Sequence, residues 1–281
     1  MSTIAVIPAR YGSTRFPGKP LARETGKFLV QHVYEQVTAC SRINRAIVAT
    51  DDPRIADAVG SFGGEAHMTR SDHVSGTDRV AEVAESLRLG GDTIVINVQG
   101  DEPEMKPSVL DRLLDRLESE AASGEPVRCR IATPAAGFSD DGPAAGPGSP
   151  ADPNRVKVVI DLRGRALYFS RSLIPYPRDT AGVIDRPSRW LLHLGVYAFR
   201  ADALRTVTDK RPRPGSGGLD ETESLEQLRW LADGVPLAVE IVDHAFVGVD
   251  TPEDYAAFVR RMRDERDSRH LRRGNSKAVV R

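Results

Sequence analysis

Cysteine is nearly absent: Cys40 and Cys129 are the only two in 281 residues, far apart and without CxxC or Cys/His spacing. That pattern excludes a disulfide scaffold and a thiolate metal site, and each cysteine sits in an apolar-patterned stretch where it reads as a buried, reduced thiol. Net charge of one sign is missing as well. The formal value of -1 gives no global attraction to nucleic acid or to an anionic membrane, so any anion site must come from local clusters of Arg and Lys. No apolar run is long enough to span a bilayer, and Met1 to Arg10 leads straight into an apolar strand without a basic leader, which implies the cytoplasm. No internal repeat occurs.

What is present is alternation. Ile4–Ile7, Arg45–Thr50 and Thr93–Val98 are short runs rich in β-branched residues and read as buried strands. Between and after them, Phe28–Ala39, Asp52–Ser61, Thr77–Leu89 and Pro107–Glu120 carry apolar residues at helical spacing. The expected fold is α/β, with a doubly wound, mainly parallel sheet, and chemistry is expected in the loops that follow the strands. The segment from Ala135 to Pro153, rich in Pro, Gly, Ala, Ser and Asp, reads as a mobile surface insertion. Beyond it lie strand-like runs at Val156–Leu162, Ala166–Ser170 and Trp190–Phe199, a helix from Glu221 to Ala232 and a strand from Leu237 to Val242. The last helix should start at Thr251, with Pro252 in its first turn and Asp254 closing a capping box. From Arg260 to Arg281 nine Arg or Lys stand against three acidic residues, the pattern of a basic helix end followed by a frayed tail.

The strongest local signal is the loop from Pro8 to Pro20. Glycines and small polar residues expose backbone N–H groups there beside Arg10, Arg15 and Lys19, which suits a polyphosphate. It is not a Walker A loop: five residues separate Gly12 from Gly18, and Pro20 stands where a metal-binding Ser or Thr is required. Asp101 follows a strand and is flanked by Gly100 and Pro103, where a hard cation could bridge its carboxylate to phosphate oxygens. Asp250 also follows a strand, and because Thr251 can cap the helix, Asp250 is free to act as a ligand. Ser75, Gly76 and Arg79 open a helix whose N-terminal dipole and free N–H groups favour an anion, although an ordinary cap explains Ser75 equally well. Asp52 reads as the cap of the following helix.

At these loops the chain resembles the 3-deoxy-manno-octulosonate (Kdo) cytidylyltransferase family, and the similarity runs through nearly the whole length. It rests on Pro8–Pro20, Ala49–Asp52, Ser75–Arg79, Asn97–Pro103, Asn154–Val158, Tyr168–Arg171, His193–Tyr197, Leu225–Leu228 and Gly248–Pro252. The resemblance implies a nucleotidyltransferase-type sheet with a smaller, less regular sugar-binding and dimerisation part. Residues 1–281 then form one domain: 1–134 mainly nucleotide-binding, 135–153 the insertion, 154–250 mainly sugar-binding, and 251–281 the last helix and tail.

The implied reaction is cytidylyl transfer from CTP to Kdo, giving CMP-Kdo and pyrophosphate for lipopolysaccharide synthesis, in a homodimer. Asp101 and Asp250 become ligands of a catalytic Mg²⁺, with Glu102 in a supporting role, and Lys19 and Arg10 join them as catalytic groups. Pro8, Ala9, Arg10, Arg15, Lys19, Ser75, Gly76, Arg79 and Gln99 hold the nucleotide. Arg171, His193, Tyr197, Glu226 and Gln227 surround the sugar acid. His193 lies in an apolar run, where a satisfied core histidine is the alternative. Glu223 and Gln227, four apart, share a helical face, and the choice between Glu223 and Glu226 stays open.

Two departures stand out: Gly26-Lys27-Phe28 replaces the family's Gly-Lys-Pro, and the 135–153 insertion is longer than expected. The rival readings are a CMP-sialate or CMP-8-amino-Kdo synthetase, a sugar-phosphate pyrophosphorylase and a non-catalytic nucleotide-binding scaffold.

Overall fold

The computed structural model describes residues 2–209 and 218–278, with side chains described as far as residue 267. The first strand lies inside the sheet, third from one edge. Strand β1 (Thr3–Pro8) lies between β2 (Arg45–Thr50) and β4 (Ile94–Asn97), parallel to both, and because both faces of this part of the sheet are covered all three are almost continuously apolar. Helices α1 (Leu29–Thr38), α2 (Pro53–Ser61) and α3 (Gly76–Ser86) make the crossovers, and a three-residue strand β3 (Ala66–Met68) extends the parallel edge beyond β2. Asp52 caps α2 through the Arg54 N–H at 2.9 Å, as the sequence predicts.

After α4 (Pro107–Ala122) comes β5 (Ile131–Gly137), which corrects one expectation: Ala135 and Ala136, placed at the start of a mobile insertion, are fully buried in the sheet. The strand consists of Ile, Ala, Thr, Pro and Gly, so its own pattern is weak. Its burial comes from neighbours, β10 (Leu237–Val242) running parallel to it and β8 (Leu191–His193) and β9 (Tyr197–Arg200) running antiparallel. The rest of the insertion folds back through turns, and Asp140 accepts hydrogen bonds from the Ser188 N–H at 2.8 Å and hydroxyl at 2.9 Å.

Strands β6 (Lys157–Ile160) and β7 (Ala166–Ser170) complete a ten-stranded sheet in the order β3-β2-β1-β4-β9-β5-β8-β6-β7, with β10 beside β5. The β1–β4 part of the sheet is parallel; antiparallel pairing begins where β9 joins β4, aligning Tyr197 with Asn97. Two apolar layers cover the faces, one including residues of α1, α2 and α4, the other residues of α3, α5 (Ala201–Thr208) and α7 (Glu226–Ala232). This is the doubly wound α/β arrangement read from the sequence. Cys40 and Cys129 are both free and buried.

The segment expected as one helix from Glu221 to Ala232 is two, α6 (Leu219–Glu223) and α7, broken where Ser224 takes a left-handed φ of 50° and Leu225 is extended. The buried Leu225 side chain anchors the break. At the C-terminal end, α8 (Pro252–Ala278) starts with the predicted capping box: Asp254 accepts from the Thr251 N–H at 2.9 Å, and the Thr251 hydroxyl accepts from the Asp254 N–H at 3.2 Å. The basic stretch is helical through Ala278, and residues 279–281 of the expected tail lie outside the described residues.

Candidate active site

The Pro8–Pro20 loop leaves the C-terminal end of β1, and the Gly18 N–H closes it onto the Tyr11 carbonyl at 2.9 Å. Gly18 has φ +72°, and a Cβ there would lie 3.1 Å from the Tyr11 ring, so both conformation and space favour glycine. The closure turns Lys19 inward. Its ammonium donates to Asp101 Oδ2 at 2.6 Å and to the Val249 carbonyl at 2.7 Å, and stands 3.7 Å from Asp250 Oδ1. Arg15 reaches the same Asp250 oxygen at 3.0 Å. Two carboxylates at the ends of different segments thus converge on one buried cation, which also holds a backbone carbonyl 230 residues away in sequence.

Gly100 allows this approach. A Cβ there would meet the Pro8 carbonyl oxygen at 2.8 Å, a backbone atom that cannot yield cheaply. Around the convergence lies a cleft of about 260 Å³, lined among others by Ala9, Arg10, Gly76, Arg79 and Gln99. All nine residues predicted to hold nucleotide border it. Ser75 caps α3 in a capping box with Asp78, so the bland reading of that serine is correct, yet it also borders the cleft. Arg79 is buried and held by Thr69 and by Asp51, the latter at 3.3 Å, which fixes its charge at the cleft wall. His73 was missed. It borders the cleft, hydrogen-bonds Glu82 and, with the Arg70 N–H on the same carboxylate at 3.1 Å, pins the loop before α3.

A second, wider cavity of about 650 Å³ adjoins the first, sharing Arg15, Gln99 and Asp250. His193, Tyr197, Glu226 and Gln227 line it, as expected of sugar-binding residues. Arg171 and Glu223 do not. The Arg171 guanidinium donates to the carbonyls of Glu223 at 2.6 Å, Pro153 at 3.0 Å and Ser224 at 3.3 Å, while the Glu223 carboxylate accepts from the Ser170 hydroxyl and the Arg171 N–H. These two residues brace the end of β7. The helix break at Ser224 is the reason that Glu223 and Gln227 do not share a face, and of the two glutamates it leaves Glu226 lining the cavity.

His193 accepts neither of the simple readings alone: it hydrogen-bonds Thr133 at 2.9 Å and packs against Phe169 and Tyr197, and it also lines the cavity. Burial pushes its imidazole down to about 3, so it is neutral at physiological pH. Glu102, also on this wall, is raised well above the usual carboxylate range by burial and then by Asp101 and Asp250, with Lys19 opposing. The insertion reaches the same cavity through Pro147, Gly148 and Asp152. Nothing in its composition signalled that.

Comparison with known proteins gives the family. Residues 4–241 match the family model described as cytidylyltransferase. A 3-deoxy-manno-octulosonate cytidylyltransferase of Syntrophobacter fumaroxidans is 46% identical over 262 residues, covering 92% of this chain and 96% of its own. One of Syntrophotalea carbinolica is 45% identical over 259 residues, covering 90% and 96%. This chain belongs to the 3-deoxy-manno-octulosonate cytidylyltransferase family.

Among solved structures, a CMP:2-keto-3-deoxy-manno-octonic acid synthetase complexed with CTP superposes with a TM-score of 0.79 at 40% identity, covering 94% of this chain and all of its own. A cytidylyltransferase from Leptospira borgpetersenii, 14% identical with a TM-score of 0.53, shares the fold. Membership of the Kdo cytidylyltransferase family makes this chain a nucleotidyltransferase, with the loop cations and the two converging carboxylates all present in it. Among the described residues no helix is long and apolar enough to cross a membrane.

Proposed function

We propose that this protein transfers the cytidylyl group of CTP to the anomeric 2-hydroxyl of 3-deoxy-manno-octulosonate, as a Mg²⁺-dependent cytoplasmic homodimer supplying a lipopolysaccharide precursor. The observation that carries the reading is the shared wall between the two cavities. Arg15, Gln99 and Asp250 border both, so a nucleotide phosphate in one and a sugar acid in the other meet beside Lys19.

The donor set fits a hard divalent cation. Asp101 and Asp250 supply carboxylate oxygens around a point that attracts positive charge strongly enough to seat the Lys19 ammonium. No group of three or more His, Cys, Asp or Glu suited to a metal occurs among the described residues; Asp101 and Asp250 would be the two protein ligands, and substrate phosphate oxygens could supply others. When bound, Mg²⁺ screens the phosphate charges and polarises the α-phosphoryl group. The chain's own contribution is placement and charge. Arg10, Arg15 and Lys19 face the triphosphate and stabilise the negative charge that accumulates on pyrophosphate as the bond from the α-phosphorus to its bridging oxygen breaks. Glu226, Gln227 and Tyr197 orient the acceptor so that its hydroxyl oxygen forms the new bond to that phosphorus in line, its proton passing to a phosphate oxygen or to solvent. The neutral His193 offers the sugar hydroxyls a hydrogen-bonding wall without adding charge.

The test is pyrophosphate release with Kdo as acceptor and CTP, UTP or GTP as donor. CTP-dependent release supports the proposal. Release with a sugar phosphate in place of the bare sugar acid would make the protein a pyrophosphorylase instead.

A further inference from the structure

Between the two cavities runs a buried chain of hydrogen bonds. Gln99 Nε2 donates to Asn97 Oδ1 at 3.2 Å, Asn97 Nδ2 donates to Thr77 Oγ1 at 3.3 Å, and the Thr77 hydroxyl donates to Glu226 Oε1 at 2.7 Å. The inner members are sealed from water, Asn97 at 0% exposure and Thr77 at 1%, and neither lines a cavity. Every donor in the chain points toward Glu226, whose Oε1 accepts from Thr77, so the run has a single direction that ends on that carboxyl group. The consequence at the far end is geometric. Gln99 commits its amide nitrogen to Asn97, leaving its carbonyl as the free acceptor beside Gly76, where a Cβ would stand 3.4 Å from Oε1.

We infer that Thr77 and Asn97 are positioning residues that join the two substrate subsites, so that nucleotide beside Gln99 and sugar acid beside Glu226 each strengthen the binding of the other. The inference rests on the proposed assignment of the two cavities. A sugar hydroxyl bonded to Glu226 holds that carboxylate in place; the fixed carboxylate orders Thr77 and Asn97, and these hold the Gln99 amide in the orientation met by the nucleotide. Thermodynamic reciprocity requires the same factor in the opposite direction. Topology provides the rigidity: Asn97 ends β4 and pairs with Tyr197 on β9, while Thr77 is in the first turn of α3.

The experiment is calorimetric binding in magnesium buffer of an acceptor lacking the anomeric hydroxyl, with and without CTP. For the unaltered enzyme CTP should tighten the acceptor about tenfold, within the usual range of coupling between sites. Thr77→Val, nearly the same shape without the hydroxyl, should reduce the factor below about twofold, and Thr77→Ser should restore it. Thr77→Ala, which needs no extra room, makes the same test if valine does not fit. A merely structural threonine would lower the melting temperature and leave the coupling factor intact. That result in a folded variant, or no coupling in the unaltered enzyme, overturns the inference, whereas the proposed function is judged separately by turnover of the unaltered enzyme.

Discussion

Lys19→Met removes the ammonium that holds the centre together while keeping a flexible side chain of similar length. The lost charge has only 11% of its side chain exposed and makes bonds of 2.6 Å to Asp101 and 2.7 Å to Val249. Removing a preorganised donor of this kind from a reaction that builds charge on a leaving group costs about 3 kcal/mol of transition-state stabilisation, on the order of a hundredfold in kcat/KM. A second consequence concerns the resting protein. Asp101 loses its ammonium partner and the Val249 carbonyl loses a donor, which should cost about 1–3 kcal/mol of stability. Added magnesium should recover part of that loss, because the cation then faces two carboxylates without a competing ammonium. The assay is pyrophosphate release at varied CTP, beside thermal unfolding with and without magnesium. A kcat/KM within threefold of the unaltered enzyme would refute the assignment of Lys19, and a magnesium-induced rise in melting temperature no larger than in the unaltered enzyme would refute the shared cation position.

Asp101→Asn and Asp250→Asn should stay folded, lose turnover by at least about a hundredfold and lose the magnesium-dependent rise in melting temperature; full activity in either removes that residue from the metal site. Gly100→Ala should displace the Asp101 loop, because its Cβ would meet the Pro8 oxygen at 2.8 Å; a fall of more than about tenfold in kcat/KM is expected, and an unchanged rate would show that the loop tolerates the shift. His193 has a folded value of about 3, below its unfolded value, so the unfolded chain binds a proton first and stability is lost as pH falls from about 6.5 toward 3. His193→Gln should flatten that decline by up to about 2 kcal/mol at pH 5, as read by denaturant unfolding at pH 8 and pH 5; equal declines in both proteins would contradict the neutral, buried imidazole.

Much of the nucleotide half is legible in the sequence because its structure is local or self-evident in composition. β1, β2 and β4 are covered on both faces, so they read as apolar runs, and the cations of the Pro8–Pro20 loop announce a phosphate site before any fold is known. The missed strands fail for opposite reasons. β3 has three partly or fully exposed residues at an edge, too few to establish a period, whereas β5 is buried from Ile131 to Ala136 but built, apart from Ile131, of Ala, Thr, Pro and Gly, with Pro134 arguing against a central strand. Its identity as a strand comes from its neighbours β8, β9 and β10, which are distant in sequence.

On the sugar side, a single apolar run from Trp190 to Phe199 is two strands, which separates His193 on β8 from Tyr197 on β9 yet brings both to one cavity. The Glu221–Ala232 segment keeps helical composition through Ser224 and Leu225, so spacing alone pairs Glu223 with Gln227. The left-handed Ser224 leaves Glu226, not Glu223, lining the wider cavity and turns Glu223 and Arg171 to bracing β7. Insertion residues Pro147, Gly148 and Asp152 reach the wider cavity because the chain folds back after β5, a long-range event that local composition does not encode.

The central claim is that the wider cavity takes a Kdo-type acid and the narrower one CTP. Its most direct test is magnesium-dependent pyrophosphate release from CTP with Kdo, set beside 8-amino-Kdo and N-acetylneuraminate under identical conditions. The account predicts release with Kdo at a kcat/KM well above that for either alternative. Preference for N-acetylneuraminate or 8-amino-Kdo would contradict the acceptor assignment, and no release with any of the three would contradict the reaction itself.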